Sequence, residues 1–149
     1  MKGYKATYNG KCKGQLYEVG QTYSIDSILI MCQNGFHFCN KLEDVFDYYP
    51  PKHDIKVFEV EALGKTITDE NKSVTNKIKI IRELSNKELK KHFILDKNNN
   101  IIYFKNNDRY EYWQEYDQNN NVIHYKSNSG YEYWQEFDQN NNLINKRYK

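Results

Sequence analysis

Three copies of one run dominate the C-terminal part of the chain. Asp96, Asp117 and Asp138 stand 21 residues apart, and each opens Asp-(Lys/Gln)-Asn-Asn-Asn-(Ile/Val/Leu)-Ile. Between the copies lie Tyr110-Glu111-Tyr112-Trp113-Gln114-Glu115-Tyr116 and its near copy at 131–137. Asp and Asn fold the backbone through their own side chains, and Asn is the best non-glycine residue in the left-handed region. An aromatic run broken by alternating glutamates suits a strand, whose successive side chains point to opposite faces. The period therefore predicts strand, Asp/Asn turn and strand, repeated as an antiparallel β-meander over residues 93–149. Such units bury a face only by stacking on their neighbours.

Residues 1–92 carry no such repeat. Asn34-Gly35 is a tight-turn pair. In the strand that follows, Phe36 and Phe38 share one face while His37 and Cys39 share the other. Asn40 is placed to cap a helix whose apolar stripe is Leu42, Val45, Phe46 and Tyr49, and Pro50 and Pro51 end it. Further strands are predicted at 3–8, within 15–23 with Gly20 interrupting, at 27–32 from a continuous apolar run, at 55–63 and at 76–81. Residues 66–73 read as a polar loop with pairing at 65–68. Ser85-Asn86-Lys87-Glu88 is a capping box opening a helix over 86–92. The reading is an α+β fold: a small mixed-sheet domain with two short helices over 1–92, then the hairpin repeat region over 93–149.

Composition decides among the broad classes. A mean hydropathy of −0.99 argues for a thin core, but 15% aromatic residues argue for a folded one. With 22 basic and 20 acidic residues the net charge of +2 makes no electrostatic case for nucleic acid. No apolar run approaches the ~20 residues of a membrane helix, and the first residues lack the apolar stretch of a secretory signal. Cys12, Cys32 and Cys39 are an odd count without disulfide-framework spacing. A bacterial cytoplasm is the expected compartment.

Four stretches together resemble an uncharacterised domain family found in phage and prophage proteins. They are YKATYNGKCKGQLYEVGQTY, NGFHFCNKLEDVFDYYPP, VFEVEALG and TNKIKIIREL. The repeat is similar to the Tyr-Asp-x-Asn-Gly-Asn hairpin repeats of bacterial surface and phage proteins, with Asn99, Asn120 and Asn141 in place of the glycine. A weaker resemblance is to the ADP-ribosyltransferase fold, with the segments at 4–7, 35–38 and 76–79 in the places of its NAD-binding strands. It implies an NAD-like cleft of Tyr4, Lys5, Thr7, His37 and Asn76. Lys5 then stands where the family has His, His37 where it has Tyr, and Asn76 where it has the catalytic Glu. Without that carboxylate ordinary transfer is badly impaired.

The candidate sites divide accordingly. Cys12, Cys32, Cys39 and His37 match no common zinc spacing, and buried cysteines beside a hydrogen-bonded histidine are the simpler account. Glu43, Asp44 and Asp47 suit the first part of a helix without catalysis. Glu59 and Glu61 suit a solvent-facing strand edge. The aromatic row Tyr110, Tyr112, Trp113, Tyr116, Tyr131, Tyr133 and Trp134 is the candidate partner-binding set. Glu111, Glu115, Glu132 and Glu136 interleave with it and would repel phosphate, so a protein partner is favoured over nucleic acid. Cross-strand packing within the meander competes for the same residues. The expectation is a phage or prophage binding protein without a catalytic set, metal or cofactor. Its partner is a host or phage protein, ribonucleoproteins included, as for an anti-CRISPR-like inhibitor of a defence nuclease. The alternative is an ADP-ribosyltransferase-like protein that uses NAD.

Overall fold

The computed structural model describes residues 1–149 and divides into two compact units. One comprises Met1–Pro50 and Asp54–Ser85, the other Pro51–His53 and Asn86–Lys149. Half of the chain is strand, and all strand pairing is antiparallel. The expected mixed sheet is corrected on that point, and the α+β label holds only in that two short helices accompany the sheets.

The first unit contains β1 (Lys2–Tyr8), β2 (Lys11–Cys12), β3 (Gln15–Leu16), β4 (Thr22–Ser24), β5 (Phe36–Cys39), helix α1 (Val45–Tyr48), β6 (Ile55–Ala62), β7 (Thr66–Asp69), β8 (Lys72–Thr75) and β9 (Lys77–Glu83). Its strands run in the order β4-β9-β6-β1-β5-β8-β7, with β2 and β3 appended to the end of β1. Strands β6 to β9 form one long hairpin bent at Gly64 and Asn76. The base, β6 with β9, lies on one side of β1, and the tip, β7 with β8, is reached through β5 on the other. Glycine is required at the bend. A Cβ on Gly64 would lie 2.0 Å from Asn76 Oδ1 and 2.9 Å from Lys77 Cβ. Phe36, Phe38, Phe58, Val60, Ala62, Ile78 and Ile80 pack with Tyr17 into the principal core.

Three local expectations are overturned. Residues 27–32 form a loop with a single bridge, Ile30 to Asn34, because the Asn34 amide donates to Ser27 Oγ and to the Ile28 carbonyl and holds the segment folded. Cys32 takes a left-handed φ of 65°, which no strand accommodates. Helix α1 is one turn long, preceded by i to i−3 bonds from Val45, Phe46 and Asp47. Asn40 does not cap it, since its Oδ1 accepts from Ser73 Oγ. The polar stretch at 66–73 is a hairpin, β7 to β8, turning through Glu70 at φ 52°.

The second unit contains helix α2 (Asn86–Leu89) and six strands: β10 (Phe93–Leu95), β11 (Ile101–Lys105), β12 (Glu111–Tyr116), β13 (Val122–Ser127), β14 (Glu132–Phe137) and β15 (Leu143–Tyr148). They pair strictly in sequence order, the meander the repeat predicts. Helix α2 is shorter than the capping box suggested, ending at Leu89. The three Asp/Asn turns are copies of one another. In each, the aspartate Oδ1 accepts from the backbone N–H groups two and four residues on, at 2.8–3.0 Å. Asn99, Asn120 and Asn141 take the left-handed position at φ 63–64°. The turns are also laced together: Asn100 Nδ2 donates to Asn120 Oδ1, and Asn121 Nδ2 to Asn141 Oδ1.

Candidate functional sites

In the first unit, Tyr4 on β1 stands opposite Cys39 on β5. Alternation then puts Tyr4, Ala6, His37 and Cys39 on one face, and Lys5, Thr7, Phe36 and Phe38 on the core face. On the first of these faces is a cavity of about 180 Å³. Tyr4, Ala6, Cys39, Val45, Tyr48 and Tyr49 supply its largely apolar walls, and Lys13, Cys32, His37 and Lys72 its polar part. Cys32 is the hub of that polar part. Its backbone N–H donates to His37 Nε2 at 2.7 Å, its carbonyl accepts from Lys13 Nζ at 3.0 Å, and its Sγ accepts from Lys72 Nζ at 2.9 Å.

Neither His37 nor Cys39 is set to exchange a proton near pH 7. Burial, with the Lys13 and Lys5 charges acting in the same direction, pushes His37 down to about 4, so the ring is neutral near pH 7. Its Nε2 accepts from the Cys32 N–H. Burial and the charges of Asp44 and Asp47 push the Cys39 thiol up to about 12, so it stays protonated and serves as wall. Lys5 is buried on the core face, donates to the His37 carbonyl at 2.8 Å and lies 4.9 Å from the Tyr17 ring centroid. Its burial lowers its pKa.

The five residues of the NAD-like set are thus divided. Tyr4 and His37 line the cavity, and Lys5 borders it although its side chain turns to the core face, while Thr7 and Asn76 do not reach it. Thr7 Oγ1 and Asn76 Oδ1 are both buried without a hydrogen-bond partner. Nowhere do three or more His, Cys, Asp or Glu side chains gather in a form that would hold a metal ion. Lys13, Cys32, Tyr48 and Lys72 were missed by sequence reasoning as cavity residues. Lys72 arrives only through the pairing of β8 with β5, for which no local signal exists.

In the second unit the partner-binding set falls on two faces. Strand register places Gln114, Tyr125, Tyr133 and Tyr148 in one row across β12 to β15. Tyr112 and Tyr125 stack at 5.4 Å, Tyr125 and Tyr133 at 5.3 Å, and Tyr148 adjoins Tyr133 at 6.1 Å. Tyr110, Tyr116 and Tyr131 belong to this face, the hydroxyls of Tyr110 and Tyr125 bonding each other. Tyr131 and Tyr148 are 50% and 56% exposed. Trp113 and Trp134 occupy the opposite face. Trp134 lies between His124 and Arg147, Trp113 beside Tyr103. Tyr125 and Tyr148, missed in the sequence reading, sit on the strands after the Asp/Asn turns and enter the row only once the register is known.

These features define a mostly-β protein of two antiparallel sheets, one around a small cavity and one carrying a tyrosine ladder. Residues 1–92 match the family model described as a domain of unknown function (DUF7666), and the chain belongs to that family. No curated protein and no solved structure matches the chain. No helix is long and apolar enough to cross a membrane.

Proposed function

We propose that the protein is a phage- or prophage-encoded binding protein that acts in the bacterial cytoplasm without a cofactor. It engages a partner protein or ribonucleoprotein through the tyrosine face of the meander. The observation that carries this reading is the ladder Tyr112, Tyr125, Tyr133 and Tyr148, which presents adjacent aromatic rings with polar hydroxyls on one face of a sheet. Tyrosines bury large area at low entropic cost and recur as interface anchors. Inhibition of a defence complex such as a CRISPR effector nuclease is the role this reading favours, on lineage and size. The test is capture from a host lysate with the intact chain and with a Tyr131→Ala/Tyr148→Ala variant. A specific partner retained by the first and lost by the second, with unchanged circular dichroism, is expected. Capture of nothing specific, or equal capture by both, overturns the proposal.

The transferase-like alternative is supported by one observation, that Tyr4 and His37 line one cavity and Lys5 borders it. Because Asn76 stands in place of the glutamate, no transfer from labelled NAD is expected. Robust transfer that disappears in His37→Ala would make the enzyme reading primary.

A further inference from the structure

The cavity of the first unit has the wall chemistry of a ligand site. Its apolar walls come from three elements: Tyr4 and Ala6 of β1, Cys39 of β5, and Val45 and Tyr48 of α1 with Tyr49 following it. Its polar part carries the ammonium groups of Lys13 and Lys72, and no carboxylate lines it. Neither lysine forms a salt bridge. The donors instead rest on the carbonyl and the sulfur of Cys32. An ammonium held against a carbonyl or a sulfur keeps donor capacity for a stronger acceptor, and a charged oxygen is one.

Size restricts the ligand further. A cavity of about 150 Å³ lined by aliphatic and aromatic side chains accepts benzene. The cavity here, at about 180 Å³, has room for one ring and a small substituent. Tyr4, Tyr48 and Tyr49 are aromatic neighbours in its lining, and Lys72 already lies 5.0 Å from the Tyr48 ring centroid.

We propose that this cavity binds a small molecule consisting of a single aromatic ring bearing a carboxylate or phosphate. The ring sits against Ala6, Cys39, Val45 and Tyr49, and the anion takes hydrogen bonds from Lys13 and Lys72. The left-handed turn at Cys32 aims both lysines: the backbone of Cys32 is pinned by His37, and its carbonyl and sulfur are the two points on which the ammonium groups converge. His37 and Cys32 are positioning residues. This site is independent of the tyrosine face and of whatever partner that face takes.

The probes are benzoate and phenyl phosphate, with benzyl alcohol as the uncharged ring and inorganic phosphate as the ring-free anion. Each is titrated into the full chain while backbone amide shifts are followed. Benzoate or phenyl phosphate should shift the amides of Ala6, Cys39 and Val45. Benzyl alcohol and inorganic phosphate should bind at least about tenfold more weakly, the worth of one charge-assisted hydrogen bond or of one buried ring. Lys13→Gln/Lys72→Gln changes two side chains outside the core and should bring benzoate down to the level of benzyl alcohol. The proposal is overturned if benzyl alcohol matches benzoate in the unaltered chain, or if the shifts map elsewhere. It is equally overturned if no probe binds, or if the double variant retains the preference for the anion.

Discussion

His124 and Trp134 stack face to face across β13 and β14, their ring centroids 4.9 Å apart and their planes 6° from parallel. Arg147 of β15 lies 4.8 Å from the same indole ring, so Trp134 joins three consecutive strands. His124 is also held edge-on by Glu132, at 2.8 Å from Nε2, and by Glu115, at 3.3 Å from Nδ1. Trp113, one repeat earlier, has the Tyr103 ring at 5.8 Å and is 42% exposed. Trp134→Ala should therefore destabilise the meander by about 2–3 kcal/mol, and Trp113→Ala by only about 1 kcal/mol. Urea unfolding followed by circular dichroism measures both. Equal losses would show that the stack contributes nothing beyond ordinary burial.

Thr7 is wholly buried on the core face, and its hydroxyl has no hydrogen-bond partner. An unsatisfied buried hydroxyl costs about 1–3 kcal/mol, and valine has nearly the same shape without it. Thr7→Val should raise stability by about 1 kcal/mol, read as a higher urea midpoint at unchanged slope. A loss of stability would mean that the hydroxyl is satisfied in solution.

The bend of the long hairpin leaves no room for a side chain at Gly64. Gly64→Ala should cost about 1–3 kcal/mol, as overpacking does. Asn76→Ala removes the atom that lies 2.0 Å from the new Cβ, so the double variant should lose less than Gly64→Ala alone. A double-mutant cycle on thermal unfolding tests this. Additive losses would place the strain at Lys77 instead.

Stability should fall in mild acid through His37. In the folded chain burial holds its imidazole down to about 4, while an unfolded histidine takes its proton near 6.5. Between those values the unfolded state binds more protons. The stability present above about pH 6.5 is thus lost progressively as pH falls toward 4. The full shift would be worth ~3 kcal/mol, but the ring is only half-buried and solvent screening reduces this to about 1 kcal/mol. Urea midpoints at pH 7.5 and 5 should differ more for the unaltered chain than for His37→Asn. Parallel pH profiles would remove His37 as the source.

The repeat was legible from residue identity because its turns are local. Asp96, Asp117 and Asp138 bond backbone groups two and four residues away, and Asn99, Asn120 and Asn141 need only their own preference for positive φ. The strand alternation that sets Tyr112 and Tyr133 against Trp113 and Trp134 is likewise a property of the backbone. The segment at 27–32 carries an apolar run that signals a strand, yet it folds as a loop because the deciding bonds come from the Asn34 side chain. Asn40 fails as a cap for a similar reason, its acceptor being taken by Ser73 from β8. The cavity lies furthest from the sequence. Lys13 follows β2, Cys32 sits in a loop five residues before His37 on β5, and Lys72 is on β8, so Lys13 and Lys72 are both far in the chain from the Cys32–His37 pair. Local chemistry determined turns and faces. The meeting of Lys13, Cys32, His37 and Lys72 was decided by which strands pair, and strand pairing is a long-range choice governed by burial of the whole sheet.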